Sequence, residues 1–129
     1  MSAPPAPYER VGGDAIVRAL VSRFYDLMDS DSQYAGIRGL HPADLAPARE
    51  KLYLFLSGWL GGPQLYAAKY GHPMLRARHL HAAIGIAERD QWLACMSRAM
   101  ADVEIEEGLR RELYNAFYKT ADWMRNREG

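Results

Sequence analysis

A chain of 129 residues and 14.6 kDa is the size of one ordinary domain, long enough to bury a hydrophobic core without disulfide or metal staples. Its 16 basic and 16 acidic residues cancel, so no long-range field argues for nucleic acid or an anionic membrane surface as a partner. The single cysteine, Cys95, excludes an internal disulfide, and its neighbours Leu93, Ala94 and Met96 mark it as a buried, unreactive thiol.

The opening MSAPPAPYER has neither a cationic segment nor a following apolar run, and no stretch is long and apolar enough to cross a bilayer; a cytoplasmic location is expected. Residues 1–10 read as an N-terminal extension of a single domain spanning 1–129. From Asp14, a candidate N-cap after Gly12-Gly13, the residues Ile16, Leu20, Phe24 and Leu27 recur at helical spacing, with Val17, Val21, Tyr25 and Met28 beside them. A second helical run, through Leu45, Ala48, Leu52, Phe55, Leu56 and Trp59, starts after His41-Pro42 and stops at Gly61-Gly62-Pro63. The short segment QLYAAKY leads to Gly71-His72-Pro73, where glycine ends a helix and proline can open the next, RARHLH. A fourth run, ERDQWLACMSRAMADV, places Trp92, Leu93, Met96, Met100 and Val103 at helical intervals, with Glu88 and Asp90 suited to the positive end of its dipole. The last, from about Glu107, repeats Leu109, Leu113, Ala116, Phe117, Thr120 and Met124, and residues 125–129 read as a frayed tail. With strand signals nearly absent, the pattern predicts an all-α domain of four main helices.

His79 and His81 in RARHLH invite a metal. On a regular helix, residues two apart are separated by about 200° around the axis, so the pair cannot grip one ion together. Zinc would need three or four converging ligands, and the recognised spacings are missing. A haem iron asks for only one protein ligand, because the porphyrin supplies four. The residues alone leave open whether either histidine serves, since a lone histidine is more often a surface or satisfied core residue.

Four stretches, VGGDAIVRALVSRFYDLM, LHPADLAPAREKLYLFLSGWLGGP, YGHPMLRARH and AERDQWLACM, resemble in order and nearly in spacing the bacterial truncated haemoglobins of the second group. The similarity covers nearly the whole chain. It implies the truncated globin fold, a two-over-two helical sandwich around haem b (iron protoporphyrin IX), with both diglycines at sharp turns. By this resemblance His79, closing RARH, is the proximal iron ligand and His81 is solvated; a slipped helix would make His81 the alternative. Relatives often continue the motif with proline and phenylalanine, where this chain has LHAAIG, so its proximal wall differs in shape.

The same resemblance places Tyr25, His41 and Trp92 on the distal side, each offering a hydrogen-bond donor to a bound ligand that draws electron density. On periodicity alone Tyr25 and Trp92 are equally core aromatics, and His41 before Pro42 a helix-opening residue. Many relatives carry tyrosine where His41 stands; histidine makes the pocket more titratable. By the same resemblance Ala48 would leave an opening toward the iron, and Leu52, Phe55 and Met96 would wall the cavity. Lys51, Tyr66 and Arg78, with His72 as a weaker candidate, are the residues that would face the haem propionates; ordinary solvated surface roles are the competing reading.

The resemblance implies a haem protein that binds oxygen or other small diatomic ligands, existing as a monomer or weak homodimer. The alternative is a redox enzyme of the same haem, oxidising nitric oxide to nitrate or reducing peroxide. With no flavin or nicotinamide motif in the chain, turnover would need a separate reductase. A third reading, a helical module without cofactor, predicts a colourless protein.

Overall fold

Glycine sets the first turn of the fold. A computed structural model describes residues 4–128, so the first three residues of the expected extension and the last residue of the expected tail lie outside the described residues. Helix α1 (Pro7–Val11) ends at Gly12, whose φ of 118° is a conformation that side chains rarely adopt and whose added Cβ would meet Ile16 Cγ1 at 2.6 Å. Helix α2 (Asp14–Ser30) follows. Its N-cap is Gly13 rather than the expected Asp14, because the Val17 N–H already bonds to the Gly13 carbonyl at 3.1 Å; Asp14 sits inside the first turn and pairs with Arg18.

Beyond a short turn and α3 (Ala35–Arg38), helix α4 (Ala46–Trp59) runs back across α2. Two short helices, α5 (Leu65–Tyr70) and α6 (Leu75–His79), lead to the long pair α7 (Ile86–Asp102) and α8 (Glu107–Trp123). Helix α2 packs on α4 and α7, and α7 on α8, giving two helices over two; among the described residues there is no strand. The buried stripes meet where their periodicity predicts, with Phe24, Met28, Leu56, Met96, Met100 and Leu109 almost wholly excluded from solvent. Trp59 stacks on Phe117 with ring centroids 4.4 Å apart, and Trp92 meets the same ring at 5.4 Å, so one aromatic cluster ties α4, α7 and α8 together. Among the described residues no helix is long and apolar enough to cross a membrane.

Both ends of the chain depart from their sequence reading. The described part of the expected extension is docked: Tyr8 donates its N–H to the Leu60 carbonyl at 2.9 Å, Val11 is buried, and a Cβ on Gly62 would meet the Tyr8 ring at 2.4 Å. Gly62 is thus required by close approach rather than by a left-handed backbone. The tail expected to fray is instead hydrogen-bonded through Asn126 and Arg127 to the Ile84 carbonyl at 2.9 and 3.1 Å, which removes the freedom fraying requires. Cys95 is buried, donates to the Phe24 carbonyl at 3.3 Å, and has its thiol pushed up to about 12 by burial.

Candidate functional site

Helix α6 carries the first of the two histidines. It starts after Met74, held at φ 47°, and ends at His79, so His81 lies in the turn beyond it. The expectation that the two histidines oppose each other across a regular helix therefore does not hold: the chain leaves the helix at His79, where the Ala82 N–H bonds to the His79 carbonyl at 3.0 Å. His79 Nδ1 lies 2.8 Å from the Leu75 carbonyl. A carbonyl can only accept, so Nδ1 carries the proton and, in the neutral ring, Nε2 keeps a free lone pair. The residue has an open edge, and atoms crowded around the rest of the ring disfavour the imidazolium. Burial is the main cause holding its pKa below the ordinary histidine value; the Leu75 bond opposes this, and the nearby His81 and His41 add to it. At neutral pH the ring is uncharged with a fixed tautomer, which leaves Nε2 able to offer a lone pair.

A second group of candidate residues comes from three other elements. Tyr25 on α2 is 5% exposed, edge-on to Phe24 at 5.1 Å and to His41 at 5.8 Å. Trp92 on α7 lies 5.4 Å from the same Phe24 ring, so α2, α7 and the segment after α3 bring Tyr25, His41 and Trp92 to one locality. Burial raises the Tyr25 phenol well above its ordinary pKa, with Arg49 opposing, so it stays a neutral donor. The one sealed, unpartnered side-chain polar atom among the described residues is Arg110 Nε. The Tyr25 hydroxyl and the Trp92 indole N–H, neither of which is hydrogen-bonded to a described residue, must therefore open onto accessible space. His41 differs from its sequence reading. Its Nδ1 sits 2.8 Å from the Ile37 carbonyl, so Nδ1 carries the proton and donates to that carbonyl, and the neutral ring presents Nε2 as an acceptor. His41 can donate to a ligand only after gaining a second proton.

Ala48, Leu52 and Phe55 line one side of α4 as half-buried residues against the core, while Met96 is buried outright. Three of the four expected rim residues converge. The Arg78 guanidinium lies 5.9 Å from the Tyr66 ring, Tyr66 and Tyr70 are 5.0 Å apart, and Lys51 Nζ lies 5.9 Å from the Tyr70 ring. His72 makes no such contact among the described residues: its Nδ1 accepts the Met74 N–H at 3.2 Å, and it borders a cavity of about 460 Å³ with Phe55, Trp59, Leu75, Lys119 and Trp123. Sequence reasoning missed Leu75 and Ile37, whose carbonyls set the two imidazole tautomers; position i−4 on a helical turn is the only signal that could have pointed to them.

One neutral imidazole, half-buried apolar walls and two cations at the rim form a donor set that fits haem. A profile of the bacterial-like globins matches residues 6–126. The chain belongs to this globin family. It is 40% identical over 121 residues to the group 2 truncated haemoglobin of Bacillus subtilis, covering 94% of this chain and 89% of that one. The globin superposes on the group II 2-on-2 haemoglobin of Agrobacterium tumefaciens with a TM-score of 0.94 and 48% identity over 98% of each chain. It also matches a truncated oxygen-avid haemoglobin from Bacillus subtilis, with a TM-score of 0.86 and 39% identity over 95% of this chain and all of that one. The fold is that of the truncated globins of the second group, and family membership implies haem-based binding of diatomic ligands.

Proposed function

We propose that this globin binds haem b through His79 Nε2 and holds oxygen, or another polar diatomic ligand, beneath Tyr25 and Trp92. The observation that carries the reading is the Nδ1 contact of His79 with the Leu75 carbonyl, which leaves a neutral, oriented Nε2 as the free nitrogen. Haem supplies an iron atom with four porphyrin nitrogens and an open position for a diatomic ligand.

Every other part of the function falls to the chain. The Tyr25 hydroxyl and the Trp92 indole N–H donate toward the ligand space, where a polar ligand gathers negative charge and carbon monoxide gathers less. His41, with Nε2 free to accept, can orient the Tyr25 hydroxyl. Leu52 and Phe55 exclude water, and Ala48 leaves the approach open. Lys51, Tyr66 and Arg78 offer two charges and a hydroxyl to the propionates, with lysine acting as a point charge rather than a bidentate fork. The similarity to a structure described as oxygen-avid supports a slow release of oxygen.

The test is reversible oxygenation of the haem-loaded, reduced protein. The proposal predicts a stable oxygenated spectrum that returns to the ferrous one under argon. Immediate conversion to the ferric form would contradict it. Rapid mixing of the oxygenated protein with nitric oxide reads the alternative, conversion to nitrate with an external reductase restoring the ferrous state.

A further inference from the structure

We propose that the segment following α8, and Asn126 above all, is a positioning clamp for the His79 imidazole. The proposal rests on the reading of His79 as the iron ligand.

Helix α6 has five residues, of which only Leu75 and Arg76 are half-buried by the chain itself, so the protein core holds the element that carries His79 only in part. Beyond it Leu80, His81 and Ala83 are exposed. What fixes this stretch is polar and comes from the end of the chain. Asn126 Nδ2 donates to the Ala82 carbonyl at 2.8 Å and lies 3.5 Å from the His79 carbonyl. Its Oδ1 accepts the Ile84 N–H at 2.9 Å, and its own backbone N–H donates to the Ile84 carbonyl at 2.9 Å. One residue thus satisfies both backbone groups of Ile84 and the carbonyl of Ala82, which calls for a side chain that donates and accepts at once.

The clamp has a firm base. Asp122 takes Arg89 of α7 and Arg125 of the tail, each at 2.8 Å, directing the chain back across the start of α7. There Glu88 accepts the Gly85 N–H at 2.8 Å, so the loop is anchored one residue past the clamp. From the other side, Arg76 of α6 reaches the Arg125 carbonyl at 3.4 Å and lies 5.8 Å from the Trp123 ring. His79 is therefore held in front by the Leu75 carbonyl and behind by a loop whose path Asn126 dictates. A metal ligand works only within a narrow range of position and tilt, and groups that orient it without touching the metal set that range.

The experiment uses the full-length chain with Asn126→Ala and Asn126→Asp, the second keeping an acceptor for Ile84 but losing the donor to Ala82. In the haem-free chain, amide exchange at Ile84 should speed up in Asn126→Ala and much less in Asn126→Asp, which keeps the acceptor, while amides within α2 and α7 stay protected. In the haem-loaded protein, haem transfer to an excess of haem-free myoglobin should accelerate on the order of threefold to tenfold. The iron–histidine stretching band of the ferrous form should shift or broaden, a readout that a tail merely capping the fold would not move. Variants that lose haem at the wild-type rate and show a coincident band would overturn the clamp, whatever their amide exchange. Failure of the ligand assignment would look different, since the band would then survive in His79→Gly without added imidazole.

Discussion

Replacing Tyr25 with phenylalanine separates a ligand-binding phenol from a core hydroxyl, because the first role predicts faster oxygen release at unchanged stability and the second a loss of stability. The Tyr25 ring packs edge-on to Phe24 at 5.1 Å and His41 at 5.8 Å, and phenylalanine keeps both contacts. What it removes is a hydroxyl with no partner among the described residues, on a side chain that is 5% exposed. That hydroxyl opens onto accessible space and is already solvated in the haem-free chain, so the haem-free variant should match the parent within about 0.5 kcal/mol. The ligand side does change. A hydrogen bond to a charge-bearing acceptor contributes about 1.5–3 kcal/mol, and because Trp92 remains as a second donor the lower end applies, roughly tenfold in dissociation rate. Oxygen displacement by carbon monoxide in a stopped-flow instrument measures the rate, and urea unfolding of the haem-free chain measures the stability. An unchanged oxygen off-rate together with a clear loss of stability would refute the reasoning and return Tyr25 to the core.

Two further outcomes follow from the same geometry. Trp92→Phe keeps an aromatic ring beside Phe24 and Phe117, from which the indole lies 5.4 Å, and removes the indole donor together with one ring; oxygen should leave faster while haem retention is largely kept, and equal off-rates would remove the indole from ligand stabilisation. Asp122 is held below the usual carboxylate value chiefly by Arg89, so its pairing contributes above the unfolded carboxylate value of about 4 and is lost as pH falls through the lowered folded value. Protease sensitivity of the chain end should therefore rise on the acid side of that range, and Asp122→Asn should show the raised sensitivity already at neutral pH.

The four long helices were legible because each writes its buried face at helical spacing: Leu20, Phe24, Leu27 and Met28 on α2, or Leu109, Leu113 and Phe117 on α8, are the residues the core excludes from water. Both diglycines were legible as turns, although for two reasons, backbone conformation at Gly12 and the Tyr8 ring at Gly62. The site was legible in its residue types and less so in its protons. His41 reads as a donor until the Ile37 carbonyl is known to sit beside Nδ1, and such a contact depends on where a short turn ends. Asn126 left no trace because its partners lie more than forty residues away, and a single polar residue in RNREG carries no periodicity to betray a long-range role. Helix α6 ends at His79, two residues short of its sequence reading, which continued the helix through His81.

The central claim is that the imidazole at position 79 is what holds the iron, and exchanging it for a removable one tests that most directly. The absorption spectrum of reduced, haem-loaded protein should be histidine-ligated in the parent, altered in His79→Gly, and restored to that variant by added imidazole. A histidine-ligated spectrum that survives in His79→Gly without imidazole would assign the bond to another residue and contradict the account.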